Sequence, residues 1–496
     1  MSKVIKVGYA IYPSVKLRLP KFNAKKGIEE MVFAKELLFG DYIKPQVVNG
    51  DYVRKVVVEK EKEVEYIQVR SRNMDGYIKE SEIQVERPLE VNFVDVGQGD
   101  GCHIVTPDDK HFIVDAGESD NMYRFLKWRF NIGTSKTAPP PFTIVISHPD
   151  ADHYAGFTKI FEKTPKAAQQ FKIEKVYHNG MVEGSGGVDT LGTYYKVKRG
   201  ENYITDLCDT QEDYKKRVAD KSVKHGDYIN LLEKTEADKQ ALRAGMDPIY
   251  DKDGLKIEVK GPFAETINGK AALPVFGGDK GMTKNGHSII LKLTMGHIRI
   301  LLGGDLNTDS EYYLIRKYSG VDIPAVQKEL SLKKTKAERK TVLEGQLEDA
   351  ITLTRQELEV DIAKSCHHGS ADFTSDFLRV LNPIVTVISS GDNEPHVHPR
   401  PDTLGTIGKF SRGERSLIFS TELARSGKEF VELDKIQSDD VKRERAVTVY
   451  GMINVRTDGN RAIIAQKLES PAANRGWDIH KLEWREAKRE FEYIME

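Results

Sequence analysis

Hydrophobic and polar positions alternate through the first part of the chain. Tyr42-Ile43, Tyr52-Val53, Val56-Val57-Val58 and Val64-Glu65-Tyr66-Ile67-Gln68-Val69 are short period-two runs, broken by turns at Asn49-Gly50 and Met74-Asp75-Gly76. This pattern predicts short strands joined by tight hairpins. Residues 1–88 therefore read as a small all-β domain, with a last strand at 76–83 and Pro88 at the boundary.

From residue 89 the apolar runs lengthen. Strands are expected at 91–96, 102–105 and 112–116, the first two joined by Gly97-Gln98-Gly99-Asp100-Gly101. Glycine makes such a turn easy because it has no Cβ to oppose a positive φ. A helix at 121–130 and the run Pro139-Pro140-Pro141 lead to Ile144-Val145-Ile146, and a short helix follows at 156–161. Later strands are expected at 173–178, 254–259, 289–293, 298–302, 360–365 and 383–388. Two insertions interrupt them. Residues 181–250 read as a Gly-rich loop followed, over 209–243, by exposed helices. Residues 318–358 read as a helical hairpin with Leu330, Leu332, Leu343, Leu347, Ile351 and Leu358 on one face. After residue 405, strands are expected at 416–420 and 446–450, and 477–496 reads as a charged amphipathic helix.

The chemistry begins where the strand 144–146 ends. His148, Asp150, Asp152 and His153 fall within six residues, H-x-D-x-D-H. Imidazole and carboxylate together suit Zn²⁺, Mn²⁺ or Fe²⁺, and a mixed set without thiolate points to a catalytic rather than a structural ion. His178 stands at the next strand end, and Asp305 on the turn after 298–302. Cys366-His367-His368-Gly369-Ser370 follows the strand 360–365, and His396-Val397-His398-Pro399-Arg400-Pro401 follows the strand 383–388. Glu311, in a helix after Asp305, reads as a surface or capping residue.

These motifs, in this order over roughly residues 90–420, resemble the metallo-β-lactamase superfamily. Asp95-Val96-Gly97-Gln98-Gly99-Asp100, Ile113-Val114-Asp115-Ala116-Gly117, Asp150 at the second ligand position and His367-His368-Gly369-Ser370 resemble its ComEC-type competence-protein branch. His398-Pro399-Arg400-Pro401 matches the family's closing motif except for a preceding Gly, and Asn285 to Ser288 resembles its N-x-x-S strand. More loosely, a stretch of roughly 55 residues whose last strand is 76–83 resembles a bacterial SH3-like barrel.

The resemblance implies an α+β fold: a four-layer αββα sandwich over 89–425, with the SH3-like domain before it and C-terminal strands and a helix over 426–496. It implies two divalent metal ions, Zn or Mn. His148, Asp150 and His178 would hold one, Asp152, His153 and His398 the other, with Asp305 bridging. Whether His178 completes the first site stays open. So does which of His367, His368, His396 and His398 binds the second ion. Asp152, His367 and His368 are the expected catalytic groups, Asn285, Ser288 and Ser370 the substrate contacts, and Asp100 and Asp115 the residues behind the ligands. The function implied is a metal-dependent phosphodiesterase or nuclease acting on DNA. A small-molecule phosphoester or lactone hydrolase, or a binding module with a degenerate metal site, are the alternatives.

Composition narrows the partners. The 496 residues carry 75 Lys+Arg against 76 Asp+Glu, so nucleic acid must be met by a local basic face. Lys215, Lys216, Arg217, Lys221 and Lys224 supply one candidate, and the SH3-like domain or the helical insertions could meet a protein. No run is long and apolar enough for a spanning helix. Three scattered cysteines form no disulfide framework, and a cytoplasmic location without membrane contact is expected.

Overall fold

The computed structural model describes residues 4–25, 27–59, 61–72, 74–132, 138–164, 170–197, 201–391, 397–423, 452–472 and 474–495. The strand expected at 446–450 and the candidate ligand His396 lie outside them. The chain divides into two compact units. One comprises Met1–Asn92, Val105–Asp109 and Arg425–Glu496, and the other Phe93–Ile104 and Lys110–Ala424.

In the first unit, an eight-stranded antiparallel sheet takes the order Ile83–Gln84, Gly8–Ala10, Tyr42–Pro45, Lys62–Ser71, Met74–Ile78, Ser14–Asn23, Ile28–Leu38, with Arg54–Glu59 also paired to Lys62–Ser71. Alternation decides its inner face: Val15 and Leu17 are buried while Lys16 between them is exposed. Val15 and Leu17 pack with Leu37, Ile43, Ile67, Val69 and Ile78. Asn49 and Gly50 both take positive φ and close a two-residue hairpin that pairs Val47 with Tyr52.

Toward the C-terminus of the same unit, Met452–Thr457, Arg461–Ala472, Arg475–Arg485 and Glu490–Ile494 form an antiparallel meander. This corrects the helix expected at 477–496. A charged segment with sparse apolar residues fits either period, and cross-strand pairing decides it: Leu482 lies opposite Ala462, and the Trp484 and Phe491 rings meet at 5.4 Å.

In the second unit, parallel pairing links His111–Ala116, Phe142–Val145, Ile173–His178 and Asp238–Ala241, with Gly101–Val105 beside His111–Ala116. Asp238–Ala241 corrects the helical reading of 209–243, which holds only for Gln211–Ala219 and Asp227–Leu232. The first insertion also carries Thr193–Tyr195 and Tyr203–Thr205, strands that join Lys270–Pro274 and Glu265–Ile267 around Met181, Leu191, Ile204 and Leu273.

The unit's other large sheet has seven strands, Tyr250–Lys252, Leu255–Gly261, Ile290–Met295, Ile298–Leu302, Ile362–Lys364, Val385–Ile388 and Leu417–Ser420, in that order. Its last four are parallel. Helices Thr308–Ser319, Ile323–Ser331, Ala337–Leu358 and Ser375–Leu381 share an apolar cluster with the strand residues Ile290, Leu301 and Ala363. In the second insertion Ile351 and Leu358 are buried in that cluster and Leu343 is also buried, whereas Leu332 is exposed. No helix among the described residues is long and apolar enough to cross a membrane.

Candidate metal centre

The strand Phe142–Val145 is buried along its core-facing positions, and Ile146 and Ser147 continue it inward. It delivers His148 fully buried, and one helical turn, Ala151–Tyr154, then carries Asp152 and His153. Asp115 waits at the end of the neighbouring strand with φ 57°, a conformation costly for a residue with a Cβ and typical of backbone held for function. Its carboxylate accepts from Ser147 N–H at 2.7 Å and, through the other oxygen, lies 2.9 Å from His153 Nδ1. A carboxylate only accepts, so Nδ1 carries the proton and Nε2 offers a lone pair.

Asp305 arrives on the turn after Ile298–Leu302. Its backbone N–H donates to Ser288 Oγ at 3.0 Å, which fixes the turn. His368 comes from Cys366–Gly369, which is a tight turn and not a strand end. His367, His368 and Gly369 all take positive φ, so the vicinal histidines do not simply face opposite ways. The His368 Nδ1 lies 3.0 Å from the Ser389 carbonyl oxygen, which again places the proton on Nδ1 and the lone pair on Nε2.

Both Nε2 atoms converge on one oxygen. His153 Nε2 lies 3.1 Å and His368 Nε2 3.0 Å from Asp305 Oδ2, yet neither makes a hydrogen bond, and Asp305 Oδ1 is likewise buried without one. Asp152 completes the group, its Oδ2 3.5 Å from His368 Nε2. One donor atom from each of Asp152, His153, Asp305 and His368 lies within 4.8 Å of all the others. Two imidazoles and two carboxylates, with lone pairs meeting at a point no hydrogen bond fills, fit a divalent first-row ion.

The field of the cluster is strong. Burial pushes the His153 and His368 imidazoles down, but Asp305 together with Asp115 and Asp152 for the first, or Asp100 for the second, outweighs it and raises both well above the usual range, so without an ion each ring also holds on Nε2 a proton that a bound ion would replace. Burial would raise the Asp305 and Asp152 carboxyls, and the same imidazoles hold both down instead. Asp100 lies beside the cluster, its carboxylate paired with Lys364 and 3.2 Å from His368 Nδ1. Lys364 is buried, donates to the Gly304 carbonyl at 2.9 Å, and stays charged because Asp100 and Asp305 outweigh its burial.

The remaining expected residues are placed differently. The His148 ring lies tilted against that of His153, their centroids 4.1 Å apart, and its Nδ1 lies 3.2 Å from Ser288 Oγ. Asp150 is paired with Lys284 at 2.8 Å. His178 is buried, and its Nδ1 accepts from Gly180 N–H at 3.0 Å, which places the ring proton on Nε2, itself buried without a hydrogen bond. Burial, with the charges of Arg243 and Lys239, pushes its pKa down to about 3. The His398 ring lies 5.8 Å from that of His367 and 6.3 Å from that of His368, outside the four-residue group. His367 Nδ1 is buried without a hydrogen bond.

Asn285 sits in the helix Lys280–Gly286 and not on a strand. Ser370 starts the turn after Gly369, its Oγ accepting from Asp372 N–H at 3.1 Å. Glu311, expected at the surface, is buried and accepts from Thr374 N–H at 2.5 Å.

Two lysines were missed by sequence reasoning. Lys364 ends an otherwise apolar buried strand, with only Ser365 and Cys366 between it and the histidine pair, and that was its available signal. Lys284 reaches Asp150 across 134 residues and had none.

No family model matches the chain, and no curated relative does either. Among solved structures, a protein described as a metal-dependent hydrolase from Parabacteroides distasonis aligns at 11% identity and TM-score 0.27, over 75% of this chain and 98% of that one. Tm1679, a metal-dependent hydrolase of the β-lactamase superfamily, aligns at 10% and 0.30, over 67% and 96%. Unliganded yeast PDE1 aligns at 10% and 0.29, over 66% and 97%. TM-scores of this size do not establish a shared fold, so the donor atoms carry the functional reading.

Proposed function

We propose that this chain is a metal-dependent hydrolase of the metallo-β-lactamase type that cleaves phosphodiesters, with DNA as its substrate. The observation that carries the reading is the convergence of His153 Nε2 and His368 Nε2 on Asp305, with Asp152 alongside. An ion held there supplies Lewis acidity: it lowers the pKa of water and offsets charge on the attacked phosphoryl group. The protein's part is orientation. Asp115 turns His153, the Ser389 carbonyl turns His368, and Ser288 holds the Asp305 turn. Burial lowers the His367 pKa, so this imidazole is neutral at pH 7 and suited to hydrogen-bond a phosphoryl oxygen or take up a proton.

Exposed Lys215, Lys216, Lys221 and Lys224 on the first insertion support a polyanionic substrate. Arg217 is not part of that track, because its guanidinium donates to the carbonyls of Val182 and Thr190. In the first unit, exposed Phe22, Val56 and Val58 on the N-terminal β sheet support contact with a protein partner.

The test is cleavage of single- and double-stranded DNA, RNA and a small aryl phosphodiester by purified protein with Mn²⁺ or Zn²⁺. Metal-dependent DNA cleavage that weakens when the four lysines are changed to alanine is expected. Hydrolysis of the small ester alone would replace the nuclease reading with a small-molecule phosphodiesterase.

A further inference from the structure

The residues expected to hold a first ion are engaged by the protein itself. Lys284 is buried, and its three ammonium protons have three oxygens: Asp150 Oδ1 at 2.8 Å, the Pro149 carbonyl at 3.3 Å and Glu183 Oε2 at 3.3 Å. Lys280 pairs with the other Glu183 oxygen at 2.6 Å, so two lysines and two carboxylates close a balanced group. With its amide nitrogen turned to the acceptors around it, Asn285 has Asp150 Oδ2 at 3.1 Å, the Gly281 carbonyl at 3.2 Å and His148 Nε2 at 3.3 Å, three acceptors for its two protons. Lys284 thus holds Asp150 Oδ1, and Asn285 stands against Asp150 Oδ2 and His148 Nε2. His178 Nδ1 is occupied by the N–H of Gly180, which leaves that ring's proton on Nε2.

The contrast with the neighbouring group is sharp. There the Nε2 atoms of His153 and His368 have no hydrogen bond. Around Asp150 a positive charge is already in place, hydrogen-bonded and enclosed. We propose that the centre takes one divalent ion, at Asp152, His153, Asp305 and His368, and that the Lys284 ammonium stands where a second ion would bind. The inference rests on the metal-dependent reading above and refines its ion count. A small, strongly hydrated ammonium is suited to this role because it is a compact point charge with three donors. A second ion at Asp150 would displace Lys284 from the nearer of its two carboxylate partners and leave Glu183 alone to offset that buried ammonium.

Metal-stripped protein is loaded with Mn²⁺, freed of unbound ion, and its metal content measured by inductively coupled plasma mass spectrometry. Wild type and Asp150→Asn should each retain one ion per chain. Lys284→Met should gain a second, weaker site in a Mn²⁺ titration. Two ions in wild type, reduced to one by Asp150→Asn, would overturn the proposal while leaving the hydrolase reading intact. A Lys284→Met variant that still binds a single ion would also overturn it. Wild type that binds no ion would overturn the hydrolase reading itself.

Discussion

Asp115 Oδ2 lies 2.9 Å from His153 Nδ1, so a residue outside the group of Asp152, His153, Asp305 and His368 decides which nitrogen of the imidazole faces Asp305. Removing the charge while keeping the shape should loosen this control without emptying the core. Asp115→Asn is expected to weaken Mn²⁺ binding about 10- to 100-fold. Isothermal titration of the metal-free protein measures it, and an unchanged Kd would remove Asp115 from any orienting role.

The vicinal histidines are expected to divide their work. His368 belongs to the ligand group, while His367 lies outside it with an unbonded Nδ1. His368→Ala should lose bound metal and activity together. His367→Ala should keep its metal and lose turnover by about 100-fold or more. Metal content and kcat, read side by side, separate the two, and equal metal loss in both variants would contradict the division.

Gly99 is where the turn before Asp100 presses on the metal-ligand segment. Its φ is +100°, and a Cβ there would sit 1.7 Å from the Asp152 backbone oxygen. Gly99→Ala must shift one backbone or the other, at a cost of about 2 kcal/mol or more. Urea unfolding should report that loss together with weakened Mn²⁺ binding. A variant as stable as wild type would mean the two loops do not meet this closely.

Glu311 gives the fold a pH dependence. Burial pushes its carboxyl from 4.5 up to about 8, and it lies beside a cavity of about 20 Å³, room for about one water, lined also by Cys366 and Thr386. The folded state therefore keeps a proton that the unfolded state releases. Stability from this group is fullest below pH 4.5 and falls as pH rises toward about 8, by on the order of a few kcal/mol. Glu311→Gln should flatten that slope and exceed wild type in stability above pH 8. Parallel Tm-against-pH curves for the two proteins would contradict the assignment.

Local patterns carried much of this site. The Asp-Ala-Asp-His run, Asp305 after an apolar strand and the His-His-Gly-Ser turn each follow from a few adjacent residues, and three of these segments supply the four-residue group. What lay hidden is long-range or electronic. Lys284 meets Asp150 only through the fold, and His178 Nδ1 is occupied by a single N–H two residues on. Glu311 looked like a surface acid because its helix is amphipathic, and only packing places it inside. The C-terminal segment was misread because its charges fit a helix face as well as a strand face, and pairing with Arg461–Ala472 chose between them.

The central claim is the position of the ion. A crystal of the wild-type protein soaked in Mn²⁺ and measured for anomalous scattering tests it directly. One strong peak is expected among His153 Nε2, His368 Nε2 and the Asp152 and Asp305 carboxylates, within bonding distance of each. No peak there, or a dominant peak at His148, Asp150 and His178, would contradict it.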